Sequence, residues 1–171
     1  MSRRISLFGL LLLVSLLAIP AFAQTTYDWS MIGSAGHVDP SSTSAYAHAG
    51  PALKFATGWT GTIVARYPVT NTYGSATSFS PPWQYFILSY ANNSALGSVS
   101  ARLMRVDHCS SDEEEMCHVN GGNTSGANAC GYCLFNPGEL DFSNNSYYVE
   151  VTMTRSAPTA TPQVNTVAIG N

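Results

Sequence analysis

Along this chain, apolar residues alternate with polar ones at a period of two over several separate stretches, and beyond the leader region they show no helical period. The clearest stretch is YYVEVTMTR. Tyr147, Val149, Val151 and Met153 alternate there with Tyr148, Glu150, Thr152 and Thr154, the pattern of a strand with one face in a core. Trp83 to Asp107 holds two more extended runs. In WQYFILSYA both faces are largely apolar, which places that strand in the interior of a sheet. In VSARLMRVD, Val99, Ala101 and Leu103 share one face while Ser100, Arg102 and Met104 share the other. The connector NNSALGS is rich in turn formers, so the two runs are expected to pair as a β-hairpin.

Other extended candidates are 52–56, 60–69 and 164–169. In the second, Ile63, Ala65 and Tyr67 oppose Val64, Arg66 and Pro68. Pro68 has no N–H to give a ladder, so that end is expected at a sheet edge or just before a turn. Residues 24–50 are small and polar, with Tyr27, Trp29 and Ile32 as large anchors, and are expected to be loop with one short strand. About six to eight strands with turn punctuation and no internal repeat predict an all-β protein, an antiparallel β-sandwich, jelly-roll-like and disulfide-stapled.

Charge and hydropathy change the picture at the N-terminus. Arg3 and Arg4, an apolar run from Leu7 to Ile19 and Ala21-Phe22-Ala23 have the form of a secretory signal peptide covering 1–23, bacterial in its short Arg-containing head. The expected product is a single β-sandwich domain over 24–171, secreted to the periplasm or cell exterior and not membrane-spanning after processing. Loss of both arginines takes the formal charge from −3 to −5, a poor balance for nucleic acid. Sequons begin at Asn92, Asn123 and Asn144, and matter only in a host that glycosylates.

The segment 107–139 reads as a hairpin or loop insertion holding Cys109, Cys117, Cys130 and Cys133. In an exported chain an even cysteine count points to disulfides. Placing SSDEEE at a hairpin tip sets Cys109 opposite Cys117 and leaves Cys130 to Cys133; the nested alternative joins Cys109 to Cys133 and Cys117 to Cys130. CGYC resembles the C-x-x-C motif of thioredoxin-like proteins, but no helix start follows it, and Leu134 stands where a c-type haem site needs His. His108, Cys109, Cys117 and His118 form a rival N/S set for zinc or copper, against which stands the consumption of thiols in an oxidising compartment. The acidic run Asp112 to Glu115 lacks the spaced ligands of a calcium loop and reads as a solvated tip.

Nothing here signals catalysis. The chain has no G-x-S-x-G, no H-E-x-x-H and no phosphate-binding glycine loop, and His37, Asp39 and His48 sit in a Ser-rich polar stretch. No cofactor is expected. The leading expectation is a non-catalytic binding protein that stacks aromatic rings on a glycan or surface polymer, with Trp83, Tyr85 and Trp59 as ligand-binding candidates and Tyr90, Tyr147 and Tyr148 as further rings. The competing expectation for these rings is core packing. Alternatives are a structural subunit of an extracellular or surface polymer, for which self-association is possible, and a metal-binding or hydrolytic secreted protein.

Overall fold

The structure, a computed structural model, describes residues 27–42, 44–73 and 79–171. The signal peptide expected at 1–23 lies outside these residues. In chain order the strands are β1 (Tyr27–Ile32), β2 (His37–Val38), β3 (Tyr46–Ala49), β4 (Ala52–Phe55), β5 (Gly61–Val69), β6 (Tyr85–Ala91), β7 (Gly97–Asp107), β8 (Glu113–Gly121), β9 (Asn128–Leu134), β10 (Asn145–Arg155) and β11 (Gln163–Gly170). Among the described residues there is no α-helix, only short 3₁₀ turns at Gly33–Ala35 and Pro40–Ser42.

These strands form two antiparallel sheets. The first, sheet A, has six strands in the order β3-β4-β11-β6-β9, with β1 also paired to β11; sheet B has five in the order β2-β5-β10-β7-β8. The chain repeatedly crosses between sheets, which makes this a jelly-roll-like antiparallel β-sandwich. Alternation explains which side chains meet inside. Ile63, Ala65 and Tyr67 of β5, Val99, Ala101 and Leu103 of β7, and Val149, Val151 and Met153 of β10 face Phe86 and Leu88 of β6 and Val164, Val167 and Ile169 of β11 in one core. Fully burying an aliphatic or aromatic side chain of this size is worth about 1.5–3 kcal/mol, so the facing sets fix register as well as stability.

Three local expectations are corrected. The runs around NNSALGS do not pair: β6 lies in sheet A and β7 in sheet B, joined by an arch. Asn92 builds that arch, donating from Nδ2 to the Gly97 carbonyl at 2.8 Å while its own N–H donates to Thr124 Oγ1 at 2.9 Å. A turn-rich connector serves an arch as well as a hairpin, and the apolar inner faces of the two strands bury more by lying across the core from one another. Residues 24–50, expected to be mostly loop, contribute β1, β2 and β3, whose strand state comes from pairing with β11, β5 and β4. The hairpin tip lies at His108–Asp112 rather than across SSDEEE: Asp107 Oδ1 accepts from the N–H groups of Cys109 (2.8 Å) and Ser110 (2.9 Å), closing the turn early. Glu113, Glu114 and Glu115 therefore run inside β8 opposite Val106, Arg105 and Met104. Pro68 meets its expectation, since β2 pairs only with Arg66 and Ala65 and leaves β5 an edge beyond them.

Neither expected cysteine pairing forms. Cys117 of β8 is joined to Cys133 of β9, with Cα atoms 6.0 Å apart, while Cys109 and Cys130 are exposed thiols. Cys109 sits in the turn while Cys117 pairs with Leu103, so the two are not opposed. Cys130 and Cys133 lie three residues apart on an extended strand, about 10 Å, beyond the roughly 7 Å limit for a bridge. The bond that forms links the edge strand of sheet B to the edge strand of sheet A and closes one side of the sandwich. The sheets approach closely there: a Cβ on Gly131 would stand 2.5 Å from Val119 Cγ1, so this position takes only glycine without displacement.

Candidate binding face

The outward side chains of sheet A can be ordered by register. One row crosses Leu134, Tyr85 and Gly170; the next Tyr132, Ile87, Ala168 and Ser30; the next Cys130, Ser89, Thr166 and Ile32; the last Asn128, Ala91, Gln163 and Lys54. Tyr132 and Leu134 are 68% and 62% exposed, and Ile32 is also open to solvent. Tyr85 and Tyr132 are diagonal neighbours, which places their Cα atoms about 7–8 Å apart on one side of the sheet. Between Lys54 and Gly170 these rows hold no charged side chain.

Polar groups line the end of the face away from the tyrosines. A bulge between Val164 and Thr166 leaves Asn165 without a ladder partner on β6. Its Nδ2 donates to Asn128 Oδ1 at 3.1 Å across β6, while Gln163 Nε2 donates to Asn165 Oδ1 at 3.2 Å. Ala91, outward by alternation, is only 3% exposed on the strand this bridge spans. At the opposite end Leu134 also lines a cleft of ≈ 490 Å³ with Gln84, Met116, Phe135, Asn136, Pro137 and Glu139. Glu139 Oε2 shapes its rim by accepting from the Asn136 N–H at 2.7 Å.

The candidates named from the sequence separate. Trp83 is fully buried, edge-on to Phe142 with ring centroids 6.1 Å apart, because it precedes β6 and turns under the end of the sandwich. It does not share an open face with Tyr85, so Trp83 follows the competing expectation of core packing and not that of ligand binding. Tyr85 stands half-buried on the outer face. Trp59 is 47% exposed on the β4–β5 turn, remote in register from Tyr85. Tyr90 and Tyr147 belong to the core. Tyr132, Leu134 and Ile87 were missed: NACGYCL has no apolar–polar alternation to mark a face, although its side chains alternate between exposed and half-buried along β9, and its cysteines drew the reading toward bridges and metals.

The rival metal set is not assembled. Cys117 is disulfide-bonded, His108 Nε2 lies 3.0 Å from Ser146 Oγ, and His118 is 3.8 Å from Glu115. Among the described residues no group of three or more His, Cys, Asp or Glu is placed to hold a metal ion. Asp39, beside His37 in sequence, accepts from Ser41 and pairs with Arg66 at 3.5 Å, and these bonds hold its carboxyl below the usual range. The His48 ring packs edge-on to Tyr46.

No family model and no curated protein matches the chain. Among solved structures it is similar to a CBM36-1 domain of a multidomain xylanase from the hindgut metagenome of Trinervitermes trinervoides, at 10% identity over 84% of this chain and 96% of that one, with a TM-score of 0.47. It is similar to the xylan-binding module CBM15 at 13% identity, over 73% of this chain and 80% of that one, with a TM-score of 0.43. A β-1,3-glucan-binding CBM6 from Bacillus halodurans gives 15% identity over 85% and 91% and a TM-score of 0.40. Likenesses of this depth say nothing of which residues of this chain bind a ligand.

Proposed function

We propose that the outer face of sheet A is a glycan-binding platform and that the protein is an exported, non-catalytic binding module. The observation that carries this reading is the pair Tyr85 and Tyr132 on one uncharged, solvent-facing sheet surface, beside Ile87 and Leu134. A tyrosine ring offers a flat apolar face to the C–H face of a sugar and a hydroxyl to its rim, and the amides of Asn128, Asn165 and Gln163 supply hydrogen bonds to sugar hydroxyls. Absence of charge along the rows suits a polymer with an uncharged backbone. Export is supported by the leader-like residues 1–23 and by the disulfide, which persists in an oxidising compartment.

The test is depletion from solution by insoluble xylan, β-1,3-glucan and cellulose, with Tyr132→Ala beside the parent. Binding to at least one polymer, weakened at least fivefold in Tyr132→Ala at an unchanged melting temperature, is the expected result. No retention by any neutral glycan removes the reading.

A second reading, an assembly subunit that stacks through the same face, draws on the exposed aliphatic side chains Ile32 and Leu134, which offer a protein partner more than a sugar. Sedimentation of the parent and Leu134→Ser distinguishes it: association that Leu134→Ser abolishes favours the subunit.

A further inference from the structure

The described cations divide sharply. Arg66 and Arg102 both bind Glu150, at 2.8 and 2.5 Å, and Arg105 binds Glu114. Lys54 and Arg155 have no carboxylate within ion-pair distance among the described residues, and both line one cleft of ≈ 190 Å³ with Phe55, Thr57, Pro162 and Gln163.

Arg155 is 7% exposed, a buried cation in a chain that is acidic overall. Its Nε donates to the Ala157 carbonyl at 3.3 Å, Nη1 to the Ala56 carbonyl at 3.2 Å and Nη2 to the Pro158 carbonyl, while the guanidinium carbon stands 5.7 Å from the Phe55 ring centroid. Three carbonyls occupy three of the five N–H groups a guanidinium offers, so two remain and the full charge is unneutralised. Burying a charge without a counter-charge is costly, and a carboxylate presented to the cleft relieves that cost. Lys54 is the outward residue of β4, in the same row as Gln163, which opens the amide bridge to Asn165 and Asn128. The polar strip on the face of sheet A therefore runs directly into the cationic cleft.

We infer that this cleft binds the carboxylate of an acidic sugar, with Arg155 as a fixed planar donor and Lys54 as a mobile point charge. A volume below the roughly 300 Å³ of a whole-ligand pocket suits one carboxyl-bearing group and not an oligosaccharide. The cleft stands on its own residues. That the acidic sugar is a substituent on a polymer lying across Tyr132 rests on the platform reading above.

The experiment is an amide NMR titration of the protein with sodium D-glucuronate, with D-glucose and with sodium sulfate. Glucuronate should give saturable shifts at Lys54, Thr57 and Gln163 that weaken with added salt, and glucose should give none there. Lys54→Glu should weaken glucuronate at least tenfold with an unchanged melting temperature, and Lys54→Arg should retain it. Equal shifts with glucose, tighter binding of sulfate than of glucuronate, or parent-like binding by Lys54→Glu would each overturn the inference. Tyr132→Ala separates the two sites. Parent-like glucuronate binding in that variant, with no polymer retained by any form, leaves the cleft and removes the platform; retention of neutral xylan without glucuronate binding does the reverse.

Discussion

The two sheets bury similar aliphatic faces against each other and present opposite outer faces to solvent. On sheet B one row runs His37, Arg66, Glu150, Arg102 and His118 across every strand, with Asp39 and Glu115 flanking it. On sheet A the corresponding surface holds tyrosines, aliphatics and amides. Glu150 shows how the charged face is closed. Burial pushes its carboxyl up, but hydrogen bonds and charge from Arg102 and Arg66 outweigh that and hold it below its ordinary value. Among the described residues, Arg66, Glu150 and Arg102 are paired with one another and with Asp39 and Glu115. On the outer face of sheet A, Tyr132 is 68% exposed and Tyr85 half-buried, and neither makes a side-chain hydrogen bond or ring contact among the described residues. Exposed apolar groups gathered on one surface mark an interaction site, whereas scattered ones do not.

The largest expected effect tests the boundary between core and platform. Trp83→Ala should cost about 3–5 kcal/mol, because a fully buried indole leaves a cavity that its neighbours fill only in part. Urea unfolding measures it. A change within about 0.5 kcal/mol would place Trp83 on the surface and restore it beside Tyr85.

Next comes the bond that holds the contrasting sheets together. Replacing Cys117 and Cys133 with alanine opens a loop whose ends are 16 residues apart, and the chain-entropy relation gives a loss of about 3 kcal/mol. Alkylation of the native protein without reductant should label Cys109 and Cys130 and spare the other two. Labelling of Cys117 would show that the seam is held by packing alone.

Much of the inner face was legible in the sequence, and the outer face was not, for a physical reason. Burial imposes a two-residue period, so Val149, Val151 and Met153 announce their side of β10, as Ile63, Ala65 and Tyr67 do for β5. Strands such as β1 and β2 carry weak patterns because their conformation comes from a partner distant in sequence. The same holds for disulfide choice: Cys117 meets Cys133 only because β8 and β9 are edge strands on one side of the sandwich, a fact of sheet order. Whether a ring such as Tyr132 is covered depends on what lies above its strand, which alternation cannot report.

A moderate effect is expected from the charged face. Glu150→Gln should cost about 1–3 kcal/mol, the usual range for hydrogen bonds to a charged group, since both arginines are partly exposed and screened. Because folding lowers the Glu150 pKa, its contribution is complete above the unfolded value near 4.5 and is lost as pH falls through the lower folded value. Asp39, Asp107 and Asp141 are lowered too, by bonds from Ser41, Ser110 and Ser143, so the parent loses stability below this range from several groups. The difference between parent and Glu150→Gln isolates one of them: the gap in melting temperature should be widest near neutrality and shrink on acidification below pH 4.5. A gap that stays constant would mean that the Glu150 charge does not contribute to folding.

The smallest effect on stability carries the most about function. Tyr132 and Tyr148 both point away from the core, one from sheet A and one from sheet B, so substituting each asks the same question of the two faces. Tyr132→Ala should leave stability within about 0.5 kcal/mol, because a ring so exposed buries little on folding. Its loss should lower glycan affinity by about 1–3 kcal/mol, roughly 5- to 150-fold, if stacking on that ring contributes as a binding anchor does. Tyr148 is half-buried beside Pro68 and Met104, and its hydroxyl is pushed up by burial and the nearby Glu113 and Glu150. Tyr148→Ala should therefore show the reverse: a measurable stability loss and parent-like glycan retention. Parallel melts and polymer-depletion isotherms on both variants decide the matter. If Tyr148→Ala weakens retention and Tyr132→Ala does not, the binding face is on the charged sheet, and the open face of sheet A is left to contacts between protein chains.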